Sequence, residues 1–175
     1  MEQKPASLMK SSLTSGIYIG VVSILVSVVL YVANLMFETW AAYISYAVLI
    51  AGAVYAQLSY RKSLGGEMTY GQALGAGTLA LIFASVLSAI YAYLLYAVID
   101  PSLIDQIRIT TEQKMIEQGN IPEEQLDQVV DMMMKFQRPP IMAAMAVIVG
   151  AIGGLIISLI TGIFTKKNPT DEVPE

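Results

Sequence analysis

Catalysis needs ionisable or nucleophilic groups that converge, and this chain carries few of them. It has no cysteine and no histidine, which excludes disulfides, thiol chemistry, haem ligation by His, and Cys or His zinc centres. Carboxylates are what remain. Glu67 follows Arg61 and Lys62 in a Gly-rich corner, while Glu38 and Asp100 stand at the edges of apolar runs. None has a base or nucleophile beside it, and paired carboxylates do acid and base work only when held at a set separation. Glu124, Asp127 and Asp131 could ligate a divalent cation through oxygen, yet their spacing matches no dedicated loop. A solvated acidic face is the simpler account. The sequence thus nominates no catalytic, cofactor-binding or metal-ligating residue and implies a non-enzymatic protein.

The elements that would have to position any such groups are long and apolar. Of 175 residues, 55% are hydrophobic and 14% charged, against about 25% charged in a soluble domain. No Asp, Glu, Lys or Arg occurs in Ser11 to Phe37, Thr39 to Tyr60, Met68 to Ile99 or Pro139 to Thr165. Each stretch exceeds the roughly 20 residues that a helix needs to cross about 30 Å of hydrocarbon. A soluble bundle would need a charged wet face at helical spacing on each helix, and these stretches have none. The pattern predicts an all-α integral membrane protein with four transmembrane helices, at about 13–37, 39–59, 70–99 and 140–165. The third, at thirty residues, would measure about 45 Å and must tilt or project. A secretory signal could account for the first span, with Lys4 and Lys10 as its basic region. Its apolar run is too long, however, and Tyr31, Val32, Ala33 and Asn34 lack small residues at both cleavage positions. The net charge of −4 argues against a nucleic-acid partner.

Orientation follows from the cations, which are disfavoured on the translocated side. Four spans put both flanks on one side, together with Lys4, Lys10, Arg61, Lys62, Lys166 and Lys167. Opposite them stand Glu38 and the segment Asp100 to Arg138, where eight acidic residues outnumber four basic ones. Both termini are therefore expected in the cytoplasm, with Arg61, Lys62, Lys166 and Lys167 as anchors. At the corner after the second span, Gly65 and Gly66 can reverse the chain without steric cost. Thr69 and Gln72 then have the spacing of a capping box that starts the third helix. Aromatic residues mark the interfaces: Tyr31, Phe37, Trp40 and Tyr43 at one end, Tyr91, Tyr93 and Tyr96 at the same end of the third span, and Tyr55, Tyr60 and Tyr70 at the other. Between the third and fourth spans a two-helix extracytoplasmic insertion is expected at about 101–138. Asp100 and Pro101 would open its first helix and Gly119 with Asn120 would stop it. Ile104, Ile107 and Met115 would line one side of that helix. Pro122, Glu123 and Glu124 would open the second, and Lys135 and Arg138 would suit its end.

Short motifs also carry a resemblance. TyrArgLys at 60–62, GlyGlyGluMetThrTyrGlyGln at 65–72 and TyrAlaValIleAspPro at 96–101 resemble the uncharacterised bacterial membrane proteins of domain-of-unknown-function family 4199, mainly from Bacteroidota. The likeness extends over nearly the whole chain. It implies a multi-pass protein of the bacterial inner membrane with the hairpin in the periplasm, and it brings no catalytic residue.

Two features suit interaction. Ala146, Gly150, Gly154, Ser158 and Gly162 recur every four residues in the fourth span, and Gly71 with Gly75 repeats the spacing in the third. Such a face lets another backbone approach closely, either within one four-helix subunit or across a seam to a second copy or another membrane protein. On the second hairpin helix, Leu126, Val129, Val130, Met133, Met134 and Phe136 form a Met-rich apolar stripe that could fold onto the first hairpin helix, rest on the membrane or receive a partner. Polar residues within the spans, among them Ser23, Gln57, Thr78, Ser85, Ser158 and Thr161, could line a path. Ion-coupled transport usually places an ionisable group there, and none is present. The sequence therefore favours a scaffold or accessory subunit embedded in the lipid bilayer, with a small transporter or permeability component as the alternative.

Overall fold

The computed structural model describes residues 7–119 and 122–167, without the side chains of Glu123 and Glu124. Lys4 and Asn120 lie outside the described residues. The order of elements is α1 (Leu8–Val32), α2 (Thr39–Ser63), α3 (Tyr70–Leu94) running into a π-helical turn (Leu95–Ile99), α4 (Leu103–Gln118), α5 (Glu123–Met134) and α6 (Pro139–Thr165). Among the described residues there is no strand, and α1, α2, α6 and the continuous helix from Tyr70 to Ile99 are each long and apolar enough to cross a membrane. This is an all-helical, multi-pass membrane protein.

Helix ends show where local chemistry overrides the apolar pattern. α1 begins at Leu8 rather than about 13 and stops at Val32 rather than 37. Asn34 takes a left-handed conformation with φ 58°. Its amide donates to Tyr31 O, and that of Leu35 donates to Leu30 O. Those paired bonds close a helix end whatever the hydropathy of the following residues. The same device ends α2: Gly65 and Gly66, at φ 87° and 104°, turn the chain while their amides return to Lys62 O and Arg61 O. α2 consequently includes Arg61 and Lys62. The capping box of α3 forms in both directions, Thr69 N donating to Gln72 Oε1 at 2.9 Å and Gln72 N to Thr69 Oγ1 at 3.3 Å. At the far end of α3 the helix widens, and Asp100 N reaches back to Leu95 O. Asp100 itself is pushed to φ −144°, ψ 81°, as a residue before proline tends to be.

The chain divides into two compact units. The first, described over residues 7–88 and 147–167, holds α1, α2, most of α3 and most of α6. Its interior is built from small side chains. Ala53, Ala56, Ala80 and Ala84 cluster with Ile19 and Leu81, and Ala73 and Ala76 with Tyr60 and Met68. Large apolar residues such as Val29, Tyr43, Ile156, Ile160 and Phe164 face outward.

The second unit, residues 89–146, holds the end of α3, the π turn, α4, α5 and the start of α6. α4 opens at Leu103, two residues after Pro101. Asp100 accepts from the amide and hydroxyl of Ser102 and so caps a turn that precedes the helix instead of the helix itself. α4 and α5 are in contact. Leu126 and Val130 are buried on α5, and Arg108 on α4 pairs with Asp131 on α5 at 2.9 Å. α5 ends at Met134, short of Arg138.

Candidate functional site

Polar side chains in the first unit gather where α1 begins, α2 ends, α3 begins and α6 ends. Gln57 sits one helical turn before Arg61 on α2, so both residues address the same neighbour. That neighbour is the last part of α6. The Gln57 side chain is wholly buried. Its Nε2 donates to Ser158 O at 3.4 Å, and its Oε1 accepts from Thr165 Oγ1 at 2.9 Å. Thr165 also lies 3.1 Å from Thr161 O. A hydroxyl has one proton, so this one is divided between two acceptors. Arg61 Nη1 donates to Thr165 O at 2.9 Å, placing a guanidinium at the carbonyl end of α6, where the helix dipole favours a cation.

Other ties close the same end. Ser12 Oγ on α1 donates to Ala76 O on α3 at 3.3 Å, and Tyr70 Oη on α3 donates to Leu159 O on α6 at 3.0 Å. Met68 and Lys167 exchange backbone hydrogen bonds of 2.8 and 2.9 Å, a two-residue antiparallel bridge. Ser158 Oγ is buried without a hydrogen-bond partner among the described residues. It stands over Gly77, where a Cβ would come within 2.5 Å of it and 2.8 Å of Gln57 Nε2. Any residue larger than glycine at 77 would thus enter the polar cluster.

The small residues of α6 meet α3 within this unit. A Cβ on Gly154 would lie 2.9 Å from Leu81 Cβ, and one on Gly162 would lie 3.2 Å from the Tyr70 ring. Gly150 stands against Ser85 more closely still. Ala146 belongs to the second unit. In contrast, nothing lies within 4 Å of the Cβ position of Gly71, and Gly75 meets only Leu8 Cδ2, at 3.3 Å. Three close approaches escaped the sequence reading. Gly16 faces Ala80 O and Phe83 Cβ, Gly20 faces Leu87, and Gly52 receives Ile19. Gly16 and Gly20 have the four-residue spacing that marks α6, so the signal was present there.

The four basic anchors fall at this end, Lys62, Lys166 and Lys167 exposed and Arg61 half-buried. The stripe nominated on α5 divides: Leu126 and Val130 are buried, Val129 and Met134 half-buried, Met133 and Phe136 exposed. Of the three acids considered for a cation, Asp131 is engaged by Arg108 and the Glu124 side chain lies outside the described residues. No group of three potential ligands converges among the described side chains.

Residues 14–167 match the model of a family described as Protein of unknown function (DUF4199). The chain belongs to this family. No curated protein and no solved structure gives a match. The matched range takes in most of α1 and all of α2 to α6, together with both residues of the Met68–Lys167 bridge. It therefore includes the Gln57, Arg61 and Thr165 cluster, while Lys10 and Ser12 precede it.

Proposed function

We propose that the chain is a non-enzymatic scaffold or accessory subunit of the bacterial inner membrane. In this reading its basic end and both flanks face the cytoplasm and the α4–α5 hairpin faces the periplasm. One observation carries the functional part: several polar groups at the basic end of the helices spend their hydrogen bonds on the backbone of a neighbouring helix. Gln57, Arg61, Tyr70 and Ser12 each donate to a carbonyl of another helix. Groups used in this way hold an architecture; they are not arranged to receive a substrate. Sidedness is supported by the convergence of Lys10, Arg61, Lys62, Lys166 and Lys167 at one end of the helices. A transporter would draw on the hydroxyls of Ser23, Thr78 and Ser158, which lack partners among the described residues, but the spans supply no ionisable group between them.

Crosslinking in living cells, followed by affinity purification in mild detergent and mass spectrometry, tests the scaffold reading. A reproducible partner or a second copy is expected; a chain recovered alone and monomeric after crosslinking would end it. The absence of cysteine makes topology easy to read. Single cysteines at Glu38 and Gln113 should react with an impermeant maleimide on spheroplasts, and one at Lys62 only after permeabilisation.

A further inference from the structure

We propose that the basic end is a binding site for the phosphodiester headgroup of an anionic glycerophospholipid, seated between the end of α2 and the end of α6. The Arg61 bond to Thr165 O, at 2.9 Å, sets the two cations of α2 beside the two that follow Thr165. Lys166 continues the helical bonding through its amide to Gly162 O, and the backbone of Lys167 is held in both directions by Met68. The four cations are thus fixed at their backbones before any ligand arrives, which lowers the ordering cost of binding. None of the four is ion-paired among the described residues, and neither is Glu67. The Arg61 guanidinium has five N–H donors and uses one nitrogen for Thr165, so donors remain for a phosphate oxygen.

A lipid fits better than a free phosphate because apolar surface adjoins the charge. Phe164, at 82% the most exposed large apolar side chain among the described residues, and Ile163 precede the lysine pair, with the buried Thr165 between. One amphipathic molecule can lay its acyl chain on Phe164 and Ile163 and its phosphate on Lys62, Lys166 and Lys167. Lysine stems covering apolar surface while their ammonium groups reach headgroup depth follow the same geometry. This inference rests on the proposed orientation only for the choice of leaflet; the headgroup chemistry is independent of it.

The test uses the full chain in non-ionic detergent, with native mass spectrometry of bound dioleoyl phosphatidylglycerol and dioleoyl phosphatidylcholine. At about fivefold per cation near an anionic surface, the anionic lipid should be preferred by roughly tenfold to a hundredfold. Lys62→Gln, Lys166→Gln and Lys167→Gln together should bring the preference close to one. The corresponding Arg triple should retain it, as should Lys114→Gln with Lys135→Gln on the hairpin. Equal retention of the two lipids by the unmodified chain, or a preference that survives the Gln triple, would overturn the site. Displacement of the lipid by millimolar inorganic phosphate, at ionic strength matched with chloride, would also overturn it in favour of a free-anion site. Labelling of Lys62→Cys from outside the cell would instead reverse the proposed orientation and leave the lipid preference of the unmodified chain in detergent unchanged.

Discussion

In the four-helix unit most of the buried apolar residues are small, Ala53, Ala56, Ala73, Ala76, Ala80 and Ala84 beside Ile19, Tyr60, Met68 and Leu81, while Val29, Ile156, Ile160 and Phe164 look outward. The α4–α5 hairpin leaves Ile109, Ile116, Met132 and Phe136 exposed as well and departs from this pattern only along part of α5. There Leu126 and Val130 are buried, and the exposed positions between them carry Asp127 and Gln128. In the proposed topology the difference is one of solvent. In water, removing a large apolar side chain from solvent stabilises the fold in proportion to area, so large residues go inside. Lipid offers such residues as good an environment as the protein does, so association depends on close backbone approach and on polar groups that lipid cannot satisfy. Gln57 and its bonds to Ser158 and Thr165 belong to the second case, and the Arg108–Asp131 pair belongs to the first.

Substitutions can break this contrast, and the largest effect should come from closing a gap between helices. At Gly16 a Cβ would stand 2.7 Å from Ala80 O and 2.5 Å from Phe83 Cβ, and a backbone carbonyl cannot rotate away. Gly16→Leu should destabilise the unit by on the order of 3 kcal/mol, read as a fall in thermal stability in detergent. Gly71→Leu, with open space at its Cβ position, should stay within about 0.5 kcal/mol. Equal losses at the two sites would remove the packing account of α1 and α3.

Val130→Ala tests the aqueous side of the comparison. It should weaken the α4–α5 contact by roughly 2 kcal/mol and speed hydrogen exchange in α4 and α5 while leaving α2 unchanged. Faster exchange throughout α2 would show that the hairpin does not hold by its own core.

Gln57→Leu keeps the volume and removes two interhelical bonds. Because such bonds in membranes average about 0.6 kcal/mol and seldom exceed about 1.7, a loss of roughly 1 kcal/mol is expected in a denaturation series. A loss several times larger would mean that the cluster acts as an inseparable network. Among the substitutions that remove a contact, the smallest effect belongs to Arg108→Gln. The pair it breaks is exposed on both sides, at 45% and 62%, so the change should lie between about 0 and 1 kcal/mol and shrink further in high salt.

Much of this architecture was legible in the sequence because hydrophobic length and missing charge are properties of a segment, not of a contact. The four long helices follow from that, and the Thr69–Gln72 cap from two residues whose side chains serve each other locally. The C-terminal end of α1 did not follow, since Asn34 stops the helix inside an apolar run by adopting a left-handed conformation that its type merely tolerates. The glycines were half legible. Spacing identifies a smooth face, but which face meets a helix depends on rotation about the helix axis, which spacing leaves open. Gly154 and Gly162 therefore have α3 opposite, whereas Gly71, with the same spacing to Gly75, has nothing. The Gln57 cluster was the least legible part. Its members are scattered polar residues whose convergence depends on which helices become neighbours.

The partners of Gln57 come late in synthesis. Ser158 and Thr165 lie 101 and 108 residues further along the chain, and at roughly 5–20 residues per second a ribosome takes about 5–20 s to reach them. Throughout that interval a carboxamide and a glycine-bearing seam on α3 have emerged without the helix that covers them. Until the last helix arrives, the Gln57 carboxamide is without its bonds to Ser158 and Thr165, so this part of the interior is completed only at the end of synthesis.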